Sequence, residues 1–194
     1  MKETTEKKVV YFITGNEGKI REANQILGDV INLKMKDIDL PELQESEDNI
    51  AIEKAKLAAI ELKKELGHDA PLFVEDVSFG MNAIGGMPGP YIKWFLKNTG
   101  VDKLPKLISS FEDKTGYVLC TLAYIEGSEA EPKLFRGRCE GSILDAPKGP
   151  RKFGFDPIFV PKGYDQSYAE MAPETKNKVS HRSLAMRAFH KYLQ

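Results

Sequence analysis

Short apolar runs alternate with amphipathic stretches over the first part of the chain. Val9–Ile13 is a brief run of β-branched and aromatic residues, which is typical of a buried strand. The run breaks at Thr14-Gly15-Asn16 and gives way to apolar residues at helical spacing, a pattern that Gly28 stops. Residues 31–36 indicate a second strand, and residues 38–42 are predicted to be extended.

The longest helix is predicted from about Glu47 to Leu66, where alanine and leucine recur on one face. Ser46 or Asp48 can cap its first turn, because both side chains accept hydrogen bonds from backbone amides. Gly67 is expected to end it.

The pattern changes after this helix. An apolar strand over residues 72–74 is expected to terminate in Glu75-Asp76, and the loop 84–90 is too rich in Gly and Pro for regular structure. Two helical segments and then mainly strands follow. The helices are predicted over 91–98 and 102–111, the strands over 117–125, 133–138, 142–144 and 158–160, and a last helix from about Ser180.

This order of elements predicts the fold class. Helix–strand alternation at both ends and consecutive strands in the middle favour an α/β fold with a mixed central sheet flanked by helices. We expect residues 1–194 to form a single domain of two inseparable lobes, with a substrate cleft between them.

Composition narrows the functional classes. Lys plus Arg number 28 and Asp plus Glu 29, so the net charge is −1, without the basic excess of a general nucleic-acid binder. No apolar run approaches the roughly 20 residues that cross a bilayer. The opening MKETTEKK lacks the apolar core of a signal peptide, and Cys120 and Cys139 suit neither a metal site nor a disulfide framework. We therefore expect a cytoplasmic protein with two reduced thiols.

The turn Thr14-Gly15-Asn16-Glu17-Gly18-Lys19 is the first candidate site. A strand that runs into a glycine-containing turn and then a helix directs backbone N–H groups and the positive end of the helix dipole at one point, which favours an anion. Lys19 adds a positive charge. The turn matches neither common phosphate-binding motif, so an ordinary strand-to-helix turn is an equally good interpretation.

The acidic residues are the second candidate. Consecutive carboxylates at a buried strand are costly unless they are paired, solvated or bound to metal, so Asp76 is a candidate ligand for a hard cation that bridges phosphates. Glu42 is a second candidate ligand, although by itself it also fits a surface glutamate. Neighbouring residues on a strand face opposite sides, so Glu75 and Asp76 need a bend to share one site.

Two later segments carry polar and aromatic residues. Lys176 precedes Ser180-His181-Arg182 at the start of the last helix, where an adjacent serine and histidine are badly placed as nucleophile and base. Phe153-Gly154-Phe155-Asp156 offers a ring that can stack on a base and a carboxylate that can accept from a ring N–H, but aromatics in such loops also serve as core residues.

Taken in order, these segments resemble the inosine triphosphate pyrophosphatase family, the house-cleaning nucleotide pyrophosphatases. The resemblance spans residues 9 to 187. Its segments are Thr14-Gly15-Asn16 with Lys19, Asp39-Leu40-Pro41-Glu42, Val74-Glu75-Asp76, residues 85–93 (GGMPGPYIK), residues 153–157 (FGFDP), Tyr168-Ala169-Glu170-Met171, and Lys176-Asn177 before Ser180-His181-Arg182.

The resemblance implies a homodimeric, Mg²⁺-dependent enzyme, with Mn²⁺ as a substitute, that converts ITP, dITP and XTP to the monophosphate and pyrophosphate. It implies that residues Thr14 to Lys19 cradle the phosphates, that Glu42 and Asp76 hold the metal, and that Asp76 activates water. The resemblance also implies that several further residues contact the nucleotide. Lys54 and Lys93 would neutralise phosphate, Phe153 with Gly154 and Phe155 would form the stacking segment, and Asp156, Lys176, His181 and Arg182 would read the base.

One departure from the family and three alternative functions remain. The family usually has Thr or Ser directly after the aspartate, whereas this chain has Val77 followed by Ser78. A pyrophosphatase of the Maf type that acts on other modified nucleotides is the rival enzyme, and a nucleotide-binding module without catalysis is the rival of another class. A role in editing inosine-containing DNA ranks third.

Overall fold

The computed structural model describes residues 7–194. The opening segment on which the signal-peptide expectation rests therefore lies largely outside the described residues. Elements follow in the order β1 (Val9–Ile13), α1 (Glu17–Leu27), β2 (Asn32–Lys36), α2 (Glu47–Leu66), β3 (Leu72–Met81), β4 (Pro88–Gly89), α3 (Ile92–Thr99), β5 (Thr115–Ile125), β6 (Lys133–Ile143), β7 (Phe159–Pro161), α4 (Pro173–Val179) and α5 (His181–Leu193). Short 3₁₀ turns cover Asn82–Ile84, Leu104–Ile108 and Asp156–Ile158.

The sheet is mixed, as expected for this α/β fold. Its hydrogen-bonded order is β2-β1-β3-β5-β6-β7, and β4 pairs with β3. β1 runs parallel to β2 and β3, whereas β4 is antiparallel to β3 and β7 is antiparallel to β6. Among the described residues, no helix is long and apolar enough to cross a membrane.

The chain divides into two compact units. Of the described residues, unit 1 comprises 7–76, 121–136 and 185–194, and unit 2 comprises 77–120 and 137–184. The division falls between Asp76 and Val77, within β3.

Small side chains build one face of the unit 1 core. The stripe of alanines on α2 is buried against apolar residues of β1, β3 and β5. The members of this stripe are Ala51, Ala55, Ala58 and Ala59. Alanine side chains let a helix lie close to its neighbour.

Ser46 and Gly67 fix the ends of α2. The Ser46 side chain accepts a hydrogen bond from the Asn49 amide, and Gly67 adopts the left-handed backbone conformation.

Aromatic rings build the rest of the unit 1 core. Phe12 stacks on Phe73 with ring centroids 4.4 Å apart. Phe189 from α5 packs edge-to-face with Phe73, and their ring centroids are 5.3 Å apart. Tyr124 lies 4.9 Å from Phe189. All four rings are essentially fully buried.

Unit 2 has its own core beneath α3. Phe79 and Met81 of β3 pack with Val118 of β5, with Ile143 of β6 and with Phe159 of β7. Both cysteines are buried and neither is in a disulfide, and burial raises the pKa of the Cys139 thiol.

Four sequence predictions of elements were wrong. β3 does not terminate at Glu75-Asp76 but continues to Met81, because Phe79 and Met81 supply the unit 2 core with apolar side chains. The loop 84–90 contains the short strand β4. Residues 102–111 form only a 3₁₀ turn, Leu104–Ile108, and the strands at 133–138 and 142–144 are one strand, β6.

β6 is continuous because a glycine serves close packing there. A Cβ at Gly141 would lie 2.2 Å from the Val160 carbonyl oxygen and 2.6 Å from the Phe159 ring. The glycine therefore lets β7 approach β6 closely, which is a common reason for a glycine inside a strand.

Candidate active site

The β1–α1 turn is organised by its own side chains. Thr14 donates its amide to the Lys36 carbonyl at 2.8 Å, and the Thr14 hydroxyl oxygen accepts the Asn16 amide at 3.1 Å. Asn16 caps α1, since its side-chain oxygen accepts the amides of Gly18 and Lys19 at 2.9 and 3.2 Å. The amides converge as expected, but they are not all free. A phosphate at this turn would take over donors that Asn16 now uses.

Asp37 lies beside the same turn and was not singled out in the sequence. A Cβ at Gly15 would be 2.8 Å from the nearer carboxylate oxygen of Asp37. Asp37 directly follows β2, whose Lys36 carbonyl holds Thr14, so the parallel pairing of β1 and β2 brings this carboxylate to the turn. The only signal in the sequence was its place at the end of a predicted strand.

Glu75 and Asp76 take different partners, as strand alternation requires. The Lys19 ammonium lies 2.8 Å from the Glu75 carboxylate, whose side chain is 1% exposed. The Lys54 ammonium lies 3.1 Å from Asp76 Oδ1. No bend is therefore needed, because a lysine from α1 neutralises one acid and a lysine from α2 the other.

Lys54 joins the two proposed metal ligands. Its Nζ lies 3.1 Å from Asp76 Oδ1 and 3.4 Å from Glu42 Oε2. The side chains of Lys54 and Asp76 are only 13% and 12% exposed, whereas that of Glu42 is 34% exposed. The structure thus brings Glu42, Asp76 and Lys54 together in unit 1.

The environment raises the pKa of Asp76 above its ordinary value. Burial is the largest cause of the rise, and the nearby charge of Glu42 also raises the pKa. The charge of Lys54 and its hydrogen bond lower the pKa, and the charge of Lys19 lowers it more weakly. The contribution of Lys19 shows that the turn and the acidic pair are within electrostatic reach of each other.

These residues fit a hard divalent cation. Two carboxylates already converge on one positive charge, and carboxylate oxygen is the ligand that Mg²⁺ prefers. Within residues 7–194, no group of three or more His, Cys, Asp or Glu side chains could hold a metal ion. The pair Glu42 and Asp76 fits a Mg²⁺ ion that is bound by one or two carboxylates, with phosphate oxygens completing its coordination shell.

A second set of predicted residues gathers in unit 2. Asp156, 5% exposed, accepts a hydrogen bond from the Lys176 ammonium at 2.5 Å. The Phe153 ring is 37% exposed, and its centroid lies 5.4 Å from Lys176 Nζ and 5.7 Å from the Arg182 guanidinium carbon. An accessible ring bordered by two cations and a buried carboxylate is suited to a flat, polar-edged ligand.

His181 and Ser180 have packing and capping environments. His181 is 3% exposed, and its ring lies 5.9 Å from Phe155 and 6.1 Å from Tyr168. Ser180 accepts the Ser183 amide at the start of α5 and exchanges a 2.8 Å hydrogen bond with the Ser183 hydroxyl. Gly154, with φ +42°, makes the turn between Phe153 and Phe155.

Lys93 and the Val77-Ser78 pair belong to unit 2. Lys93 lies exposed on α3, with its ammonium 5.8 Å from the centroid of the Trp94 ring. Val77 packs against the unit 2 core, so Ser78, which is 1% exposed, faces the opposite side of β3.

Comparison with known proteins places these features in a family context. The sequence profile of the Ham1 family matches residues 10–192. A HAM1 protein from Coxiella burnetii has a similar structure, with a TM-score of 0.83 and 26% identity over 96% of this chain and 98% of that one. The Staphylococcus aureus Ham1 protein gives 0.78 and 25% over 96% and 98%. A nucleoside-triphosphatase, named dITP/XTP pyrophosphatase, from Mycobacterium abscessus gives 0.69 and 28% over 93% and 98%.

Removing the charge of Glu75 should weaken unit 1. Glu75→Gln keeps the size of the side chain but leaves the Lys19 ammonium without its buried partner, so we expect the free energy of unfolding to fall by about 1–3 kcal/mol. Urea denaturation measures this. The matched control is Glu17→Gln, because Glu17 is 79% exposed in its pair with Arg21, and it should change stability by less than about 0.5 kcal/mol. Equal small effects of both variants would contradict a structural role for the Glu75 pair.

The raised pKa of Asp76 predicts a specific pH dependence of stability. The folded protein keeps this proton at pH values where the unfolded chain has lost it, so the contribution is full below the ordinary value of 3.8 and is lost as pH rises through the folded pKa. Asp76→Asn should remove that decline. Unfolding curves across this interval for both proteins test it, and parallel curves would contradict the assigned environment.

Proposed function

Because this chain belongs to the Ham1 family, we propose that it hydrolyses the deaminated purine nucleoside triphosphates ITP, dITP and XTP to the nucleoside monophosphate and pyrophosphate. The observation that supports this most directly is the convergence of Glu42 and Asp76 on one positive charge. A pure anion-binding module gains nothing from two carboxylates beside its phosphate site, so the arrangement favours the enzyme.

Water attack on the α-phosphate builds negative charge on the phosphate oxygens and on the leaving pyrophosphate. A Mg²⁺ ion held by Glu42 and Asp76 would neutralise part of this charge. Lys54, Lys19 and the amides of the Thr14–Lys19 turn supply further positive charge from unit 1, and Lys93 is the candidate from unit 2.

Asp76 is the proposed general base. Burial raises its pKa, which makes the carboxylate a better proton acceptor than an exposed aspartate. The carboxylate would accept the proton of the attacking water. Before nucleotide binds, the Lys54 ammonium, 3.1 Å from Asp76 Oδ1, favours the ionised form.

Selectivity for the base is assigned to the unit 2 set. Inosine presents a 6-keto acceptor and an N1–H donor, whereas adenine presents a 6-amino donor and an N1 without hydrogen. In our hypothesis Asp156 accepts from N1–H and Arg182 or Lys176 donates to the keto oxygen, while Phe153 stacks on the ring. ATP offers neither the N1–H donor nor the keto acceptor that these groups recognise, which discriminates strongly.

A homodimer and a cytoplasmic location complete the proposal. The dimer is supported by the family resemblance, and the location by the free, buried cysteines and the balanced charge. The same balance argues against nucleic acid as a partner.

The direct test is a panel of nucleoside triphosphates with Mg²⁺, scored for monophosphate plus pyrophosphate against diphosphate plus phosphate. ITP, dITP and XTP should give pyrophosphate, and ATP much less. Turnover confined to modified pyrimidine nucleotides would instead indicate Maf-type activity, and binding of ITP without product would indicate a non-catalytic module.

Asp76→Asn should lower kcat by about 10²–10⁴, the usual contribution of a positioned general base. The exposed Asp165→Asn serves as the control and should retain normal turnover. In the unaltered enzyme, activity should fall once the pH is low enough to protonate Asp76, since the base must be ionised. Near-normal turnover by a folded Asp76→Asn protein would remove Asp76 from the mechanism.

Arg182→Ala should narrow the ratio of kcat/KM for ITP to that for ATP by about tenfold or more, because the lost donor served the keto oxygen alone. Arg182→Lys should restore part of the ratio. Arg187→Ala, on the exposed side of the same helix, is the control. A parallel fall in kcat/KM for both nucleotides would show that Arg182 supports the fold or the phosphates instead.

A further inference from the structure

The ammonium of Lys54 occupies the position of a cation shared by the two proposed metal ligands. It lies 3.4 Å from Glu42 Oε2 and 3.1 Å from Asp76 Oδ1, and its side chain is 13% exposed. Part of the negative charge of the two carboxylates is therefore already offset by a cation that belongs to the chain itself.

A divalent ion from solution meets two disadvantages at these carboxylates. It has to displace an ammonium that is tethered in place, and the described residues supply no third acidic, histidine or cysteine ligand. Mg²⁺ dehydrates reluctantly and is commonly bound through one or two carboxylates together with substrate phosphates. Glu42 and Asp76 alone are thus a weak site while Lys54 remains between them.

We propose that Lys54 and the divalent cation compete for Glu42 and Asp76, so that the protein takes up the cation together with the nucleotide, whose phosphates receive the displaced Lys54. This inference rests on the proposed function, because the triphosphate provides the second partner for Lys54. It assigns Lys54 a role in setting the order of binding, beyond neutralising phosphate.

The surroundings of Lys54 suit such an exchange. Its backbone is fixed in α2, where the neighbouring Ala51, Ala55 and Ala58 are fully buried, while its four-carbon side chain carries a compact, mobile charge. Lys19 is not the competitor, since it is paired at 2.8 Å with Glu75, whose side chain is 1% exposed.

The test measures Mn²⁺ binding to the nucleotide-free protein, through the electron paramagnetic resonance signal of the free ion. Lys54→Met should bind Mn²⁺ at least about tenfold more tightly than the unaltered protein, a difference of about 1.4 kcal/mol. The control is Lys56→Met on the same helix, since Lys56 is 36% exposed and pairs with Glu131 at 3.5 Å. It should bind Mn²⁺ as the unaltered protein does.

Nucleotide provides the second arm of the test. The α,β-methylene analogue of ITP, which cannot be cleaved between those phosphates, should increase Mn²⁺ affinity more in the unaltered protein than in Lys54→Met, because only the former has an ammonium to displace. Thermal unfolding checks that each variant is folded, and Lys54→Gln replaces Lys54→Met if the latter is not.

Mn²⁺ affinity in Lys54→Met that equals or falls below that of the unaltered protein would overturn the competition. Hydrolysis of ITP by the unaltered protein is measured separately. An enzyme that cleaves ITP while Lys54→Met shows no gain in Mn²⁺ affinity refutes this inference alone, whereas a protein that cleaves no nucleoside triphosphate refutes the proposed function.

Discussion

Two adjacent acids within an otherwise apolar strand are the constraint on which the candidate active site depends. Glu75 and Asp76 interrupt β3 between Val74, in the unit 1 core, and the apolar residues that enter the unit 2 core. Carboxylates with so little exposure require positive partners. Because side chains alternate along a strand, the partners come from two different helices, with Lys19 on α1 and Lys54 on α2.

This requirement links the scaffold to the chemistry. Asn16 caps α1 and thereby fixes the first turn from which Lys19 reaches Glu75. Ser46 and Gly67 cap α2 and hold the helix that carries Lys54. The same two lysines that neutralise the acids of this strand are the positive charges that the proposed function assigns to the triphosphate. On that proposal, the structural and catalytic demands on these residues coincide.

The sequence predicted the features governed by local chemistry. The bounds of β1 and α2, the glycine stop of α2 and the mixed sheet follow from periodicity and capping residues, and they were confirmed. Glu75-Asp76 was predicted to end the strand because polar residues commonly do so. The strand continues because Lys19 and Lys54, which are distant in sequence, neutralise the two carboxylates. The prediction of two strands in place of β6 was wrong, and the close approach of β7 at Gly141 is a matter of tertiary packing that the local pattern does not show.

The candidate site was predicted in a similar way. The acidic residues themselves suggested Asp76 and Glu42, the family resemblance added Lys54, and the structure brings the three together. The carboxylate of Asp37 beside Gly15 and the tie between Glu75 and Lys19 were not foreseen, since both depend on pairing between segments that carry no motif of their own.

The alanine stripe of α2 has a consequence beyond packing. Because Ala51, Ala55 and Ala58 are fully buried against the strands, their methyl groups act as a spacer that sets how far the helix stands from the sheet, and hence the reach of the lysine that it carries. Bulkier residues in this stripe would lift the helix and move the Lys54 nitrogen away from the carboxylates. The geometry of the proposed metal site would thus depend partly on residues that are not among its ligands.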